Sequence, residues 1–410
     1  MASAITVSVD TVDLAFGNLP RPARLAFNFA ARLQHGTLEV VLPNGQRYLF
    51  GGAEPGPAAT MIINNLDFAR RLVSGGDLGV AEGYLRCEWE TPDLTQFLYL
   101  FNVNHDVIAG TLCALPLIRL FQSVRFWLHR NTRSQAKRNI EAHYDLGNRF
   151  YEAWLDETMT YSSALFEHET DNLSVAQTRK YQSLATAIGL APGQKVLEIG
   201  CGWGGFAEFA AKTHGVDVVA LTISPKQFDF ARQRVFKAGL NDKIEIRLQD
   251  YRDERGVFDR IASIEMIEAV GEQYWSTYFR QMRDRLLPGG FSGIQAITIQ
   301  DRYFRDYRRE IDFIRHYVFP GGMLPTPTIL KSMGQKFDLL LVSERIFGLD
   351  YARTLSIWRD RFRASWPALV RLGFDQRFQR LWEYYLAYCE AGFLADKIDV
   401  RQMVFAKSGS

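Results

Sequence analysis

The stretch Val196-Leu197-Glu198-Ile199-Gly200-Cys201-Gly202-Trp203-Gly204-Gly205 constrains this chain more than any other. An apolar run ends at an acidic residue, passes through a G-x-G-x-G-G turn and enters a helical pattern. Glycines let a backbone approach a ligand closely, and a helix start offers unsatisfied N–H groups. The spacing is not that of the dinucleotide fingerprint G-x-G-x-x-G. A tight turn without a ligand is the plain alternative. An acid at the end of a strand, with a helix behind the turn, favours a cradle.

The surroundings of the turn define the architecture. Lys195 to Gly200, Asp217 to Ser224, Ile244 to Asp250, Phe258 to Glu265 and Gly290 to Ile299 read as strands. Phe206 to Lys212 and Lys226 to Ala238 read as helices between them. Leu339 to Arg345 and Gln402 to Ala406 are later strand candidates. Strands alternating with helices predict an α/β fold with a doubly wound, Rossmann-like and mostly parallel sheet over residues 141–410.

Residues 1–106 have another texture and read as a smaller α+β domain. Leu38 to Leu42 and Arg47 to Phe50 flank Pro43-Asn44-Gly45 as a hairpin, and Gly51-Gly52 with Pro55-Gly56-Pro57 reads as the end of that unit. Residues 107–140 carry no acid, but hold Arg119, Arg125, Arg130, Arg133, Lys137 and Arg138. Leu117, Phe121, Val124 and Leu128 share a helical face there. A basic amphipathic linker reads first as an interdomain helix, and that reading is compatible with contact to an anionic membrane surface.

At 410 residues, two or three domains are expected. Lys+Arg 48 against Asp+Glu 46 is too balanced to coat nucleic acid by bulk charge. Cys87, Cys113, Cys201 and Cys389 form no C-x-x-C pair, so neither a disulfide framework nor a metal site is expected. The longest apolar run, Val107 to Ile118, is too short to span a bilayer and contains Pro116. The first residues, MASAITVSVD, lack a basic region followed by an apolar core. The expectation is a cytoplasmic protein that attaches peripherally to the inner face of the membrane.

Further stretches narrow the class. They are His143-Tyr144-Asp145-Leu146-Gly147-Asn148, Met159-Thr160-Tyr161-Ser162-Ser163-Ala164, Leu221-Thr222-Ile223-Ser224-Pro225-Lys226-Gln227 and Leu248-Gln249-Asp250-Tyr251-Arg252-Asp253. Glu265-Met266-Ile267-Glu268-Ala269-Val270-Gly271, Phe319-Pro320-Gly321-Gly322-Met323-Leu324-Pro325 and Phe347-Gly348-Leu349-Asp350-Tyr351 follow. The glycine turn resembles motif I of class I methyltransferases. Together the motifs, from about Gly75 onward, resemble the cyclopropane-fatty-acyl-phospholipid synthases, a family that includes the mycolic acid cyclopropane synthases. Gly75 to Tyr84 resembles the small lipid-associated domain of the phospholipid enzymes.

The resemblance implies S-adenosylmethionine as methyl donor, with Tyr161 and Ser162 on its N-terminal side and Gly200 and Gly202 beneath it. It implies Thr222, Ile223 and Gln227 at the ribose and methionine, and Asp250, Tyr251 and Arg252 beside the adenine. Tyr161 also reads as core, and Asp250 also reads as a helix cap. The end of the second strand, Leu221-Thr222-Ile223-Ser224, lacks the acid expected for the ribose hydroxyls.

Methylation of an isolated cis double bond leaves a cation on the chain, so the site must exclude water and supply a base. Loss of a proton from the new methyl closes a cyclopropane. Loss from elsewhere gives a methyl-branched or methylene chain. The resemblance implies a bound bicarbonate as base, held by Cys, Glu, His, an Ile backbone and Tyr. Here Glu268, Ile297 and Tyr351 match, while Ser163 stands at the Cys position and Gln295 at the His position. Ser and Gln can donate hydrogen bonds to an anion but carry no charge. The departure bears on the product, not on methyl transfer. Phe313, Tyr317, Phe319, Trp358, Phe362 and Trp366 read as core first and acyl-tunnel lining second.

The leading expectation is cyclopropane formation on unsaturated acyl chains of membrane phospholipids. The runner-up is methylation without ring closure, which calls for a redox partner enzyme. A small-molecule methyltransferase and a non-catalytic lipid-binding protein remain as other classes. The resemblance also suggests a homodimer.

Overall fold

The computed structural model describes residues 4–107 and 146–409. The basic segment over 107–140 lies outside the described residues apart from Val107, as do His143, Tyr144 and Asp145. The described residues form two compact units, neither continuous along the chain. The first takes 4–107 and two returning segments, Arg309–Tyr317 and Gly373–Lys397. The second takes 146–308, Val318–Leu372 and 398–409.

The first unit holds a mixed sheet of β1 (Ile5–Val7), β2 (His35–Val41), β3 (Arg47–Gly51), β4 (Glu54–Ile63) and β5 (Trp89–Glu90), in the order β1-β3-β2-β4-β5. The expected hairpin is β2–β3, antiparallel with Val41 opposite Arg47. Leu38, Val40, Tyr48 and Phe50 alternate into the core, the period of a half-buried strand. Phe16 and Phe27 stack beneath them with ring centroids 4.2 Å apart. Pro55-Gly56-Pro57 does not end the unit, as expected from its turn residues. It forms the mostly exposed start of β4, where the register with β2 is irregular between His35 and Thr37. Prolines are tolerated at such a place because no ladder donor is needed. Gly75 to Tyr84 lies within the helix Asp67–Leu85, which breaks at Gly76 (φ 56°, ψ −135°). The returning helix Gln376–Leu394 is tied in by the buried Thr95 hydroxyl, which donates to Glu390 Oε2 at 2.9 Å.

The second unit holds β6 (Lys195–Ile199), β7 (Asp217–Thr222), β8 (Ile244–Leu248), β9 (Phe258–Ile264), β10 (Leu286–Ile299), β11 (Leu339–Ile346) and β12 (Ile398–Lys407). Their order is β11-β12-β10-β9-β6-β7-β8. The β8-β7-β6-β9-β10 run is parallel, and β12 lies antiparallel to β10 and β11. This is the doubly wound α/β sheet expected from the alternation. The chain leaves β6 toward β7 on one side and resumes at β9 on the other. That reversal opens a crevice at the carboxyl ends of β6 and β9, where such sheets bind ligands. One apolar cluster contains Ile261, Trp275, Phe279, Leu286, Ile294 and Phe405. Another contains Val196, Phe206, Ala210, Val218 and Ile244. No helix among the described residues is long and apolar enough to cross a membrane.

Candidate active site

The glycine turn emerges from β6 directly into the helix Gly205–His214. Gly200 and Cys201 donate their N–H groups to Leu221 O at 3.0 and 2.8 Å, which fixes the turn to β7. Gly200 (φ +82°) packs so closely on Met266 that a Cβ would lie 2.8 Å from Met266 Cγ. Gly202 (φ +53°) differs, because a Cβ there would meet nothing within 4 Å. The backbone at Gly202 is therefore bare toward open space, as a donor cradle requires. Glu198 behind the turn is buried, with Oε2 lacking a hydrogen-bond partner among the described residues. Burial raises its carboxyl to about 8, against the pull of Lys180.

The expected donor residues gather at neighbouring strand ends of this unit. Thr222, at the end of β7, donates its hydroxyl to Gln227 Oε1 at 2.9 Å, and both are buried. Ile223 lies between them in sequence and is half-buried. Ser224 caps the following helix through Gln227 N. Asp250 follows β8 and accepts from Arg252 N at 2.9 Å and Nε at 2.8 Å, capping the turn Tyr251–Asp253. The cap reading of Asp250 thus holds in the geometry. Arg252 lies 5.1 Å from the Tyr274 ring centroid. Tyr161 sits among the rings of Tyr151, Trp154 and Trp358, with centroids 5.3–5.7 Å away. The buried Ser162 hydroxyl accepts from Lys180 Nζ at 2.5 Å.

Opposite the turn, at the end of β9, the sequence offers two carboxylates, and the structure gives them different hydrogen-bond partners. Glu268 is the carboxylate expected in the shell of a bound anion, yet three of the other expected shell residues converge on Glu265. Ser163 N donates to Glu265 Oε1 at 2.8 Å and Gln295 Nε2 donates to the same oxygen at 2.7 Å. The Tyr351 hydroxyl donates to Oε2 at 2.6 Å. Ser163 acts through its backbone, since its hydroxyl donates to Ala164 O at 2.9 Å. Ile297 N–H is taken by Glu268 Oε1 at 2.5 Å. Glu268 Oε2 is buried with no hydrogen-bond partner among the described residues. Tyr351 lies in the first turn of the helix Gly348–Arg371, which starts at a glycine.

Sequence reasoning missed Glu265, Lys180 and Gln402. Lys180 is fully buried on the helix Leu173–Ala187, whose buried face also carries Gln177 and Leu184. A lysine and a glutamine on an otherwise apolar face were the available signal. Burial lowers Lys180 to about 8, while attraction to Glu265, Asp156 and Glu198 opposes this. Gln402 Nε2 donates to Gln295 Oε1 and Lys180 O, each at 3.1 Å, and so turns the Gln295 amide toward Glu265. Burial raises Glu265, opposed first by Lys180 and then by its three donors. Burial, followed by the charge of Glu265, raises Glu268 to about 8. Burial thus pushes both carboxyls up, and Glu265 has the larger set of donors opposing the shift.

The six aromatic residues divide between the units. Trp358 and Phe362 are fully buried in the second, where Trp358 packs 5.6 Å from Trp154. Phe313 and Tyr317 belong to the first, with Phe313 4.7 Å from Tyr384. The helix Asp301–Arg309 carries no buried residue, in keeping with a solvated charged face.

The family described as mycolic acid cyclopropane synthetase matches residues 131–403. Tuberculostearic acid methyltransferase UfaA1 of Mycobacterium tuberculosis is 40% identical over 373 residues, covering 88% of this chain and 86% of that one. Cyclopropane-fatty-acyl-phospholipid synthase of Escherichia coli K12 is 35% identical over 356 residues, covering 85% and 88%. Among solved structures, mycolic acid cyclopropane synthase CmaA1 complexed with SAH and CTAB is similar with a TM-score of 0.63 and 28% identity. The likeness covers 66% of this chain and 98% of that one.

Proposed function

The chain belongs to the mycolic acid cyclopropane synthetase family, and from that premise we propose that it is an S-adenosylmethionine-dependent C-methyltransferase acting on cis double bonds in the unsaturated acyl chains of membrane phospholipids. The leading product is a cyclopropane. One observation carries the reading: the bare glycine turn packs through Gly200 onto Met266, the residue between Glu265 and the helix bearing Glu268. Donor cradle and carboxylates are thus neighbours across the sheet's crevice.

When bound, S-adenosylmethionine supplies a sulfonium methyl carbon that accepts the π pair of the alkene while the C–S pair returns to sulfur. Gly200 and Gly202 let it approach the backbone. Thr222, Ile223 and Gln227 hold the ribose and methionine side, and Asp250, Tyr251 and Arg252 flank the adenine. Tyr161 and Ser162 close the site from the N-terminal side. The rings of Tyr151, Trp154, Tyr161 and Trp358 form a dry wall whose faces steady a chain cation.

Methylation without ring closure is the second reading. It is favoured by the 40% identity to a tuberculostearic acid methyltransferase, and it would require a redox partner enzyme. In both readings the protein works as a homodimer at the inner face of the cytoplasmic membrane. The unit built on residues 1–106, with the returning segments Arg309–Tyr317 and Gly373–Lys397, is the lipid-associated part, 107–140 the basic linker, and the second unit, drawn from 141–410, the catalytic part. Reversing Arg125 and Arg130 to Glu is expected to weaken binding to anionic vesicles in a salt-sensitive way. Unchanged binding would remove the linker from membrane attachment.

The test incubates the protein with methyl-labelled S-adenosylmethionine and vesicles of cis-monounsaturated phosphatidylglycerol, then saponifies the lipid. Label in the released acyl chains is expected. Donor binding with no label in any lipid would favour a non-catalytic protein, and transfer only to soluble acceptors would favour a small-molecule methyltransferase.

A further inference from the structure

We infer that the Glu265 carboxylate is the base of this reaction and occupies the place that a bound bicarbonate would otherwise take. The inference rests on the methyl-transfer reading above and names the group that completes it.

The first argument is the donor count. An anion held by Ser163, Gln295 and Tyr351 needs their three donors free to face it. All three are spent on Glu265, at 2.8, 2.7 and 2.6 Å. The fourth expected donor, Ile297 N–H, is spent on Glu268. A second anion in this shell would meet the Glu265 carboxylate, toward which the expected donors are already turned.

The second argument is the backbone. Glu265 adopts φ +49°, a left-handed conformation that side chains with a Cβ adopt at a cost. Its own N–H donates to Gln295 O at 2.8 Å, so the strained geometry is fixed by β10. That conformation turns the side chain at the strand end into the ring of donors.

The third argument is charge. Lys180, buried and hydrogen-bonded to Ser162 Oγ, lies close enough to attract the Glu265 carboxylate. It supplies the positive charge that neither Ser163 nor Gln295 can carry. Glu268 has one donor on Oε1 and none on Oε2, and suits the protonated state.

The step balances as follows. After methyl transfer the chain carries a carbocation next to the newly methylated carbon. A Glu265 oxygen takes one proton from the transferred methyl, and the released C–H pair forms the third ring bond. The product is a neutral cyclopropane and Glu265 becomes a carboxylic acid. It returns the proton to solvent water when the product leaves. If the proton is taken from a neighbouring chain carbon instead, the same pair forms an alkene beside a methyl branch.

Two variants test the inference. E265Q keeps the shape: the amide oxygen can face Ser163 and Gln295, and the Tyr351 hydroxyl can turn to accept from the amide nitrogen. E265G suits the left-handed backbone and leaves a carboxylate-sized space ringed by donors. Donor affinity, measured by calorimetry, should be unchanged in E265Q. Its turnover should fall on the order of 10²–10⁴-fold, the range of a positioned base. Wild-type turnover should be the same in buffer stripped of carbon dioxide as in buffer with added bicarbonate. Ligand-free E265G should bind bicarbonate or formate in a saturable titration that the wild type does not show, and both anions should restore part of its turnover. Wild-type dependence on added bicarbonate, or near-normal turnover by E265Q, would overturn the inference. No acyl labelling by the wild type at all would overturn the function reading itself, a separate result.

Discussion

The bare backbone at Gly202 makes a prediction whose size follows from geometry. An alanine at φ +53° pays for the left-handed conformation, about 1 kcal/mol. It pays nothing for contacts, because its Cβ would meet no atom within 4 Å. In a chain of 410 residues that loss lowers the melting temperature by only about 1–2 °C. If Gly202 floors the donor cradle, the same methyl occupies space that the bound donor needs. Overpacking of this kind costs about 1–3 kcal/mol, so the dissociation constant should rise roughly 5- to 150-fold. Gly45 provides the control. It lies in the β2–β3 turn at φ +81°, with equally open space around a Cβ. G45A should show a similar stability loss and no change in donor affinity. Calorimetric titration with S-adenosylmethionine and thermal melts of both variants decide the matter. Wild-type affinity in G202A, or an equal loss in G45A, would refute the assignment of Gly202 as the cradle floor.

Three further outcomes follow from the carboxylate shell. Glu268 has its folded-state value raised to about 8, so its stabilising contribution is full below its unfolded value and is lost as pH rises through 8. Wild-type stability should therefore drop by roughly 2–4 kcal/mol between pH 5 and 9. E268Q should flatten that slope in urea titrations, and parallel slopes would contradict the protonated state of Glu268. K180M removes the leading opposition to the raised Glu265 value, so the acid limb of the pH–rate profile should move to higher pH. An unmoved limb would separate Lys180 from the base. Q295A removes one of the donors to Glu265 and should lower turnover about tenfold with donor affinity unchanged. Equal losses of affinity and turnover would exclude this role.

The sheet was legible chiefly from strands such as β6 and β7, whose mostly apolar runs are closed by glycine or by a Ser-Pro turn. The glycine turn was legible because its residue type is dictated by backbone conformation. Which carboxylate is the hub was not legible. Glu265 and Glu268 stand three residues apart at the same strand end, and either could meet the donors. The choice is made by the left-handed φ at Glu265 and by Ser163, Gln295 and Tyr351, which arrive from distant segments. Lys180 was hidden because a helical lysine ordinarily faces water, and only tertiary packing shows that this one does not. The helix that carries Tyr351 was not legible at its start, because it opens at Gly348, a residue that disfavours helix. The return of Gln376–Leu394 to the N-terminal sheet depends on long-range contacts such as Thr95 with Glu390, which no local pattern encodes.

The most direct measurement of the central claim is the deuterium count of the product formed from trideuteromethyl S-adenosylmethionine and cis-monounsaturated phospholipid vesicles. The account predicts acyl chains that gain a bridging carbon with two deuteriums and lose the double bond, because the base takes its proton from the transferred methyl. Chains that keep three deuteriums and an alkene would contradict ring closure and place the removed proton on the chain. Unlabelled acyl chains under conditions of full donor binding would contradict methyl transfer to lipid altogether.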